Sequence, residues 1–171
     1  MTSLFPHPQY AEDQPAAHAI LYLHVMRASA MTFSFLSLPY TGLSLLALRL
    51  RAQPQLHTSS ILTRTLLNSG RGLVFGTLAG AAMTWGRMRG RDEVEWQDRS
   101  WRLLENKGEV NTDLETVGAA GVGAVAAVVA SRRGVVPLGI ARAALGGAGL
   151  GLGSGVLFMV GTFATGRKPA V

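Results

Sequence analysis

"GGAGLGLGSG", Gly146–Gly155, is the stretch whose reading decides the fold. A run this dense in glycine is a phosphate-cradling loop, a flexible linker, or a helix face cleared for a close neighbour. The dinucleotide fingerprint needs glycines at i, i+2 and i+5 before a helix. Gly149 and Gly151 would require a third at 154, which is Ser154, and no other triple in the run fits. "GTFATGRK", Gly161–Lys168, lacks the Lys directly after its second glycine and the Ser or Thr that a P-loop then needs. The run lies inside Ala143–Gly166, which is uncharged, follows Arg142 and is closed by Arg167 and Lys168. About 20 such residues cross a hydrocarbon core of about 30 Å. The stretch therefore reads as part of a membrane helix, and nucleotide binding is not expected.

Three further runs behave alike. Ala28–Leu48 carries no charge between Arg27 and Arg49, with Pro39 predicting a kink and Ser37 a candidate donor to the freed carbonyl. Gly72–Gly86 is short, and extends back to Thr65 if Arg71 lifts its guanidinium to the interface, with Trp85 at the opposite boundary. Thr116–Ser131 is shorter still, and Arg132, Arg133, Gly134 and Pro137 stop it. The expectation is one all-α membrane domain over 1–171 with four glycine-rich spans near 28–48, 65–86, 116–131 and 143–166. A three-span version would leave the third run re-entrant or buried.

Composition agrees. Only 15% of the 171 residues are charged, against about 25% in soluble domains. With no cysteine, disulfides, thiolate metal sites and cysteine nucleophiles are excluded. Net charge is +6, but Arg and Lys flank apolar runs instead of clustering, so nucleic acid is not an expected partner. All ten acids sit at Glu12 and Asp13 or between Asp92 and Glu115. The first 26 residues have no Arg or Lys, which predicts no cleavable leader. Pro15–Met26 reads as a helix running into the first span. With four spans, the termini and the charged segment share one side, and Arg49, Arg51, Arg64, Arg71, Arg132, Arg133 and Arg142 the other. Counting Lys and Arg gives nine against seven, which leaves orientation open. The short basic loops are expected to face the matrix or cytosol.

Small residues recur four apart. Gly72, Gly76 and Gly80 form one row, continued by Thr84, and Ala143, Gly147, Gly151 and Gly155 form another, beside Gly149 and Gly153. Ala119, Gly123 and Ala127 form a third. Residues four apart share a helix face. In lipid, helices associate through close backbone approach, which small residues permit. Gly72, Gly76, Gly80, Gly147, Gly151 and Gly155 are the expected helix-packing residues, and phospholipids and other membrane subunits the expected partners.

The charged segment 87–115 holds "EVEWQDRSWRLLEN", whose Glu95–Arg99 and Asp98–Arg102 spacing suits helical ion pairs. It predicts an amphipathic helix stopping at Gly108, with Val94, Trp101 and Leu104 on one stripe and Trp96 off it. Trp96, Trp101, Arg99 and Arg102 are candidate contacts with a partner or the headgroups. Glu93, Glu95 and Asp98 read as charge-paired surface, not catalysts. His7, His18, His24 and His57 form no metal-ligand spacing, so no metal, cofactor or catalytic residue is expected. Arg71 and Arg142, with Thr77, Thr84, Ser154 and Thr162, are what a transport path would have to use.

The block Glu93–Asp113, "EVEWQDRSWRLLENKGEVNTD", with "RTLLNSGRGLVFGTLAGAAMTWGRMRG" and "FPHPQYAEDQPAAHA", resembles a family of small fungal membrane proteins of uncharacterised function. Size, short spans and glycine rows also resemble the Tim17-type four-helix proteins of the mitochondrial inner membrane, which include translocase subunits and an accessory subunit of respiratory complex I. The resemblance implies a multi-pass inner-membrane protein, here expected to be a non-catalytic accessory subunit of complex I, with a translocase or small-transporter component as the alternative.

Overall fold

The computed structural model describes residues 4–51 and 58–166. The expected flank Arg167–Lys168 and His57 lie outside them. After a 3-10 turn at Ala11–Asp13 come α1 (Ala17–Leu50), α2 (Thr58–Met88), α3 (Glu93–Glu105), α4 (Lys107–Arg132) and α5 (Ile140–Thr165), with no strand among the described residues. The four long helices form a bundle: α1 pairs with α2, α4 with α5, and α5 also lies against α2 and α1. The short α3 caps one end, against the first turns of α1 and the 3-10 turn.

Where helices meet, their register can be read from the glycines. A β-carbon on Gly72 would stand 2.6 Å from the Phe33 carbonyl oxygen, on Gly76 2.6 Å from that of Ser29, and on Gly80 2.7 Å from the Met26 Cα. Rising numbers in α2 meet falling numbers in α1, so this pair is antiparallel. Gly147, Gly151 and Gly155 likewise abut the Gly123 and Ala119 carbonyls and the Thr116 side chain of α4. Gly146 and Gly149 meet Leu66 and Ser69 of α2, here with numbers rising together, so α2 and α5 run parallel. The opening stretch thus clears two faces of α5, one for α4 and one for α2. Replacing hydrogen by carbon at these points would push carbonyls apart, which is why the contacts need glycine.

The bundle distributes residues in the reverse of a water-soluble protein. Its interior includes Ser34, Ser37, Thr41, Ser69, Thr84 and Thr116, all buried. Most of these hydroxyls donate to carbonyls three or four residues back, as Thr41 does to Ser37 at 2.7 Å and Thr84 to Gly80 at 3.0 Å. Leu43, Phe75, Leu78, Val122, Leu157 and Phe163 face outward. Among the described residues the buried apolar side chains form small clusters: Leu66, Ala127, Val136 and Ala143 near the arginine-rich end, Ala30, Met31 and Leu152 in the middle, and Ala17, Met88 and Trp96 under α3.

Several expectations change. Among the described residues three helices, not four, are long and apolar enough to cross a membrane: Ala17–Leu50, Lys107–Arg132 and Ile140–Thr165. The helix holding 65–86 is long but less apolar, because Arg64, Asn68 and Arg71 lie in it. The segment 87–115 is not one loop, since α4 already begins at Lys107. Gly108 does not stop a helix but starts one: Asn106 caps α4, its side-chain oxygen accepting from the amides of Gly108 at 3.1 Å and Glu109 at 3.3 Å. The Ser37 hydroxyl donates to Ser34 at 2.6 Å, not to Phe35, the carbonyl that Pro39 cannot serve. Gly134, at φ 72°, closes α4, with the Val135 amide donating to Ala130 as in a left-handed helix stop.

Candidate functional site

Arg27 was expected to flank the first span. It stands instead inside the bundle, three turns into α1, with its side chain 2% exposed. Its Nε is 2.5 Å from Oδ1 of Asp113, itself 1% exposed, and one Nη is 3.3 Å from Glu109 on the same face of α4. The same Nη donates to Nδ1 of His24 at 3.5 Å, and Nη1 lies 3.8 Å from the Met31 sulfur. Residues 24, 27 and 31 share a face of α1, and 109 and 113 a face of α4. Two helices far apart in sequence thus meet through one guanidinium and two carboxylates. A buried charge is costly to dehydrate and persists only when paired, so the arrangement fixes the rotation and height of α4 against α1. Spacing gave no hint of it, since the partners lie 82 residues apart and more.

The cap is built around His18 and His7. The His18 ring stacks on Trp96 with centroids 3.8 Å apart and planes 9° apart, and its Nε2 is 2.7 Å from the Glu93 carboxylate. Tyr22 lies on Trp96 as well, centroids 5.9 Å apart, and Met88 and Ala17 complete the floor. Trp101 donates its Nε1–H to the Pro8 carbonyl at 2.9 Å and stacks on His7. The N-terminal segment is thereby held along α3.

Trp96, expected off the stripe and free for a partner, is 6% exposed, while Val94, expected on the stripe, is 59% exposed. Trp101 is engaged within the chain too. Placement follows the position of α1, which no periodicity within α3 reveals. Arg102 pairs with Asp98 at 3.0 Å, but Glu95 pairs with Arg91 at 3.3 Å, not with Arg99. Arg99 is half-buried beside Arg87 over a recess of about 270 Å³ lined by Leu21, Val25, Met83 and Met88. Among the described residues no cluster of His, Asp and Glu has metal-site geometry. His18→Ala is expected to lose about 1 kcal/mol of stacking. Trp101→Phe should lose about 1 kcal/mol with its hydrogen bond. Both changes should speed tryptic cleavage at Arg99 and Arg102, and unchanged cleavage would show that the cap is not held by these rings.

The family described as "Protein of unknown function (DUF1757)" matches residues 8–153. The chain belongs to this family. The matched region takes in α1 to α4 and the first half of α5, hence every partner of Arg27, the Trp96 cap and the glycine contacts at 72, 76, 80, 147 and 151. Comparison with the curated proteins and with the solved structures gave no match. Among its described residues this DUF1757 chain has a helix bundle joined by a buried ion-pair network at Arg27 and Asp113, with an aromatic cap over one end.

Proposed function

We propose that the protein is a non-catalytic structural subunit of a larger membrane complex in the fungal mitochondrial inner membrane, with respiratory complex I as the assembly. The observation that carries the subunit reading is a mismatch of surfaces at one height. Thr116, Gly155 and Met31 touch, and Gly76 lies against Ala30 beside them, which marks a common level across four helices. Past that level toward α3, α4 presents Glu115 to the outside. At the same height α2 continues without charge and exposes Leu78, Met83 and Trp85, each more than half exposed. Lipid suits the second surface and water the first, whereas a protein partner can match both. The outward Val74, Phe75 and Leu78 also support α2 as a fourth crossing, with Arg64 and Arg71 reaching to the interface.

Native gels after mild detergent, probed for this protein, test the reading. Comigration with a respiratory complex is the expected result, and a free small species alone would refute it. Alkaline carbonate extraction should leave the protein in the membrane pellet, and release into the supernatant would refute the crossing helices. The second reading is a Tim17-like translocase or transporter component. The internal line of Ser34, Ser37, Thr41, Asn68 and Ser69 favours it, with Asn68 donating to Thr41 at 2.9 Å. A selective import or flux defect in a Thr41→Val variant that still assembles would move the assignment there.

A further inference from the structure

We propose that the outer groove between α2 and α5 is a binding site for one anionic phospholipid, with the phosphate held by Arg71 and Arg142. This rests on the reading that these helices cross a membrane. The groove encloses about 480 Å³, and its walls are Val74, Phe75, Leu78 and Leu145, with Arg71 and Arg142 as its charged members. A helical side chain leans toward the N-terminus of its own helix. Both α2 and α5 start at the same end of the bundle, so both arginines lean toward that end, with Val74, Phe75 and Leu78 on the far side of Arg71. That is the polarity of a phospholipid: an anionic head followed by an acyl chain.

The charge is uncompensated. Arg71 has Asn68 Oδ1 at 3.4 Å, and among the described residues neither Arg71 nor Arg142 pairs with a carboxylate. The acids, Glu12, Asp13 and those in Asp92–Glu115, lie in the half of the bundle next to α3, whereas Arg49, Arg51, Arg64, Arg132 and Arg133 share the end with Arg71 and Arg142. A second recess, of about 410 Å³, adjoins the groove through Leu67 and Arg71 and is polar, with Tyr40, Ser44, Arg64 and Asn68 in its walls. Hydroxyl and amide groups there suit a glycerol headgroup beyond the phosphate. Basic recesses between membrane helices hold anionic headgroups in this manner, and arginine matches phosphate through paired N–H donors.

The test is native mass spectrometry of the full chain, delipidated in detergent and offered phosphatidylglycerol and phosphatidylcholine in equal amounts. The wild type should retain phosphatidylglycerol by about 25-fold over phosphatidylcholine, since each of the two arginines near a headgroup contributes about a factor of five. R71Q/R142Q should lose that preference, while R132Q/R133Q, which removes the same charge from the exposed turn, should keep it. Val74→Trp, which fills the groove without altering charge, should also lose bound lipid, and it decides the matter if R71Q/R142Q fails to fold by circular dichroism. Inorganic phosphate should not displace the lipid. Equal retention of both lipids, loss in R132Q/R133Q as large as in R71Q/R142Q, retention by Val74→Trp, or displacement by phosphate would each overturn the proposal. Carbonate extraction separates the two failures: protein that stays with the membrane but shows no lipid preference loses this site and keeps its crossing helices.

Discussion

Asp113→Ala should destabilise the protein by about 3–5 kcal/mol, because it leaves the Arg27 guanidinium buried without its nearest counter-charge. Glu109 remains 3.3 Å away, but it is one-third exposed and cannot follow Asp113 into the interior. At about 2–4 °C per kcal/mol for a chain of this length, the melting midpoint in detergent should fall by about 10 °C. A paired experiment isolates the cause. Arg27→Met with Asp113→Leu removes both charges at similar volume, and should recover most of the loss, since replacing a buried pair by apolar residues is often neutral or better. The reading would be wrong if Asp113→Ala costs less than about 1 kcal/mol, or if the double variant is no more stable than the single one. Circular dichroism melting of all three proteins in the same detergent is sufficient.

Gly151→Leu should cost about 3 kcal/mol or more, the upper range for overpacking a filled interior. The first carbon of the new side chain already meets the Ala119 carbonyl of α4. Three further carbons can be housed only if α4 and α5 separate, which also opens the reciprocal contact between Gly147 and Gly123. Two controls accompany it. Gly121→Leu on α4 and Gly161→Leu on α5 add the same side chain where nothing lies within 4 Å. Both should be neutral or slightly stabilising through helix propensity. The expected result is loss of the folded monomer, or of assembly on native gels, for Gly151→Leu alone. If all three glycines tolerate leucine equally, the helices are not set by close backbone approach.

Much of the helical layout was legible in the sequence because it follows from local patterns. Apolar runs pointed to the four long helices and placed their C-terminal ends closely, but set the starts late: 28 against Ala17 in α1, 65 against Thr58 in α2 and 116 against Lys107 in α4. Gly134 and Pro137 marked the end of α4 through turn chemistry that acts over a few residues. Hydropathy alone does not carry the second span, because it averages Arg64, Asn68 and Arg71 against their neighbours and cannot say which of them reaches an interface. At Asn106–Gly108 the reading failed for a different reason. Glycine and asparagine serve both ends of helices, and only the capping bonds to the Gly108 and Glu109 amides show which end is present.

The candidate site was legible only in part. Glycine rows four apart have a local period, so they could be seen in advance, though not which helix each would face. Trp96 and Trp101 were singled out for their size, but size does not tell whether a ring meets a partner or its own chain. His7, His18 and Arg27 read as isolated or flanking residues, because Trp101, Glu93 and Glu109, which they meet, lie 75 positions away or more.

The sequence by itself determined the helical class, the long apolar helices, the rows of small residues and the separation of an acidic end from an arginine end. These rest on spacing and composition, which a single chain displays before it folds. Only the tertiary structure decided that Arg27 and Asp113 share the interior, that α3 folds back over His18, and that Gly146–Gly155 presents separate glycines to α2 and α4. Those facts depend on the rotation and height of one helix against another. Steric contact and ion pairing set these across long stretches of chain, and no local pattern encodes them.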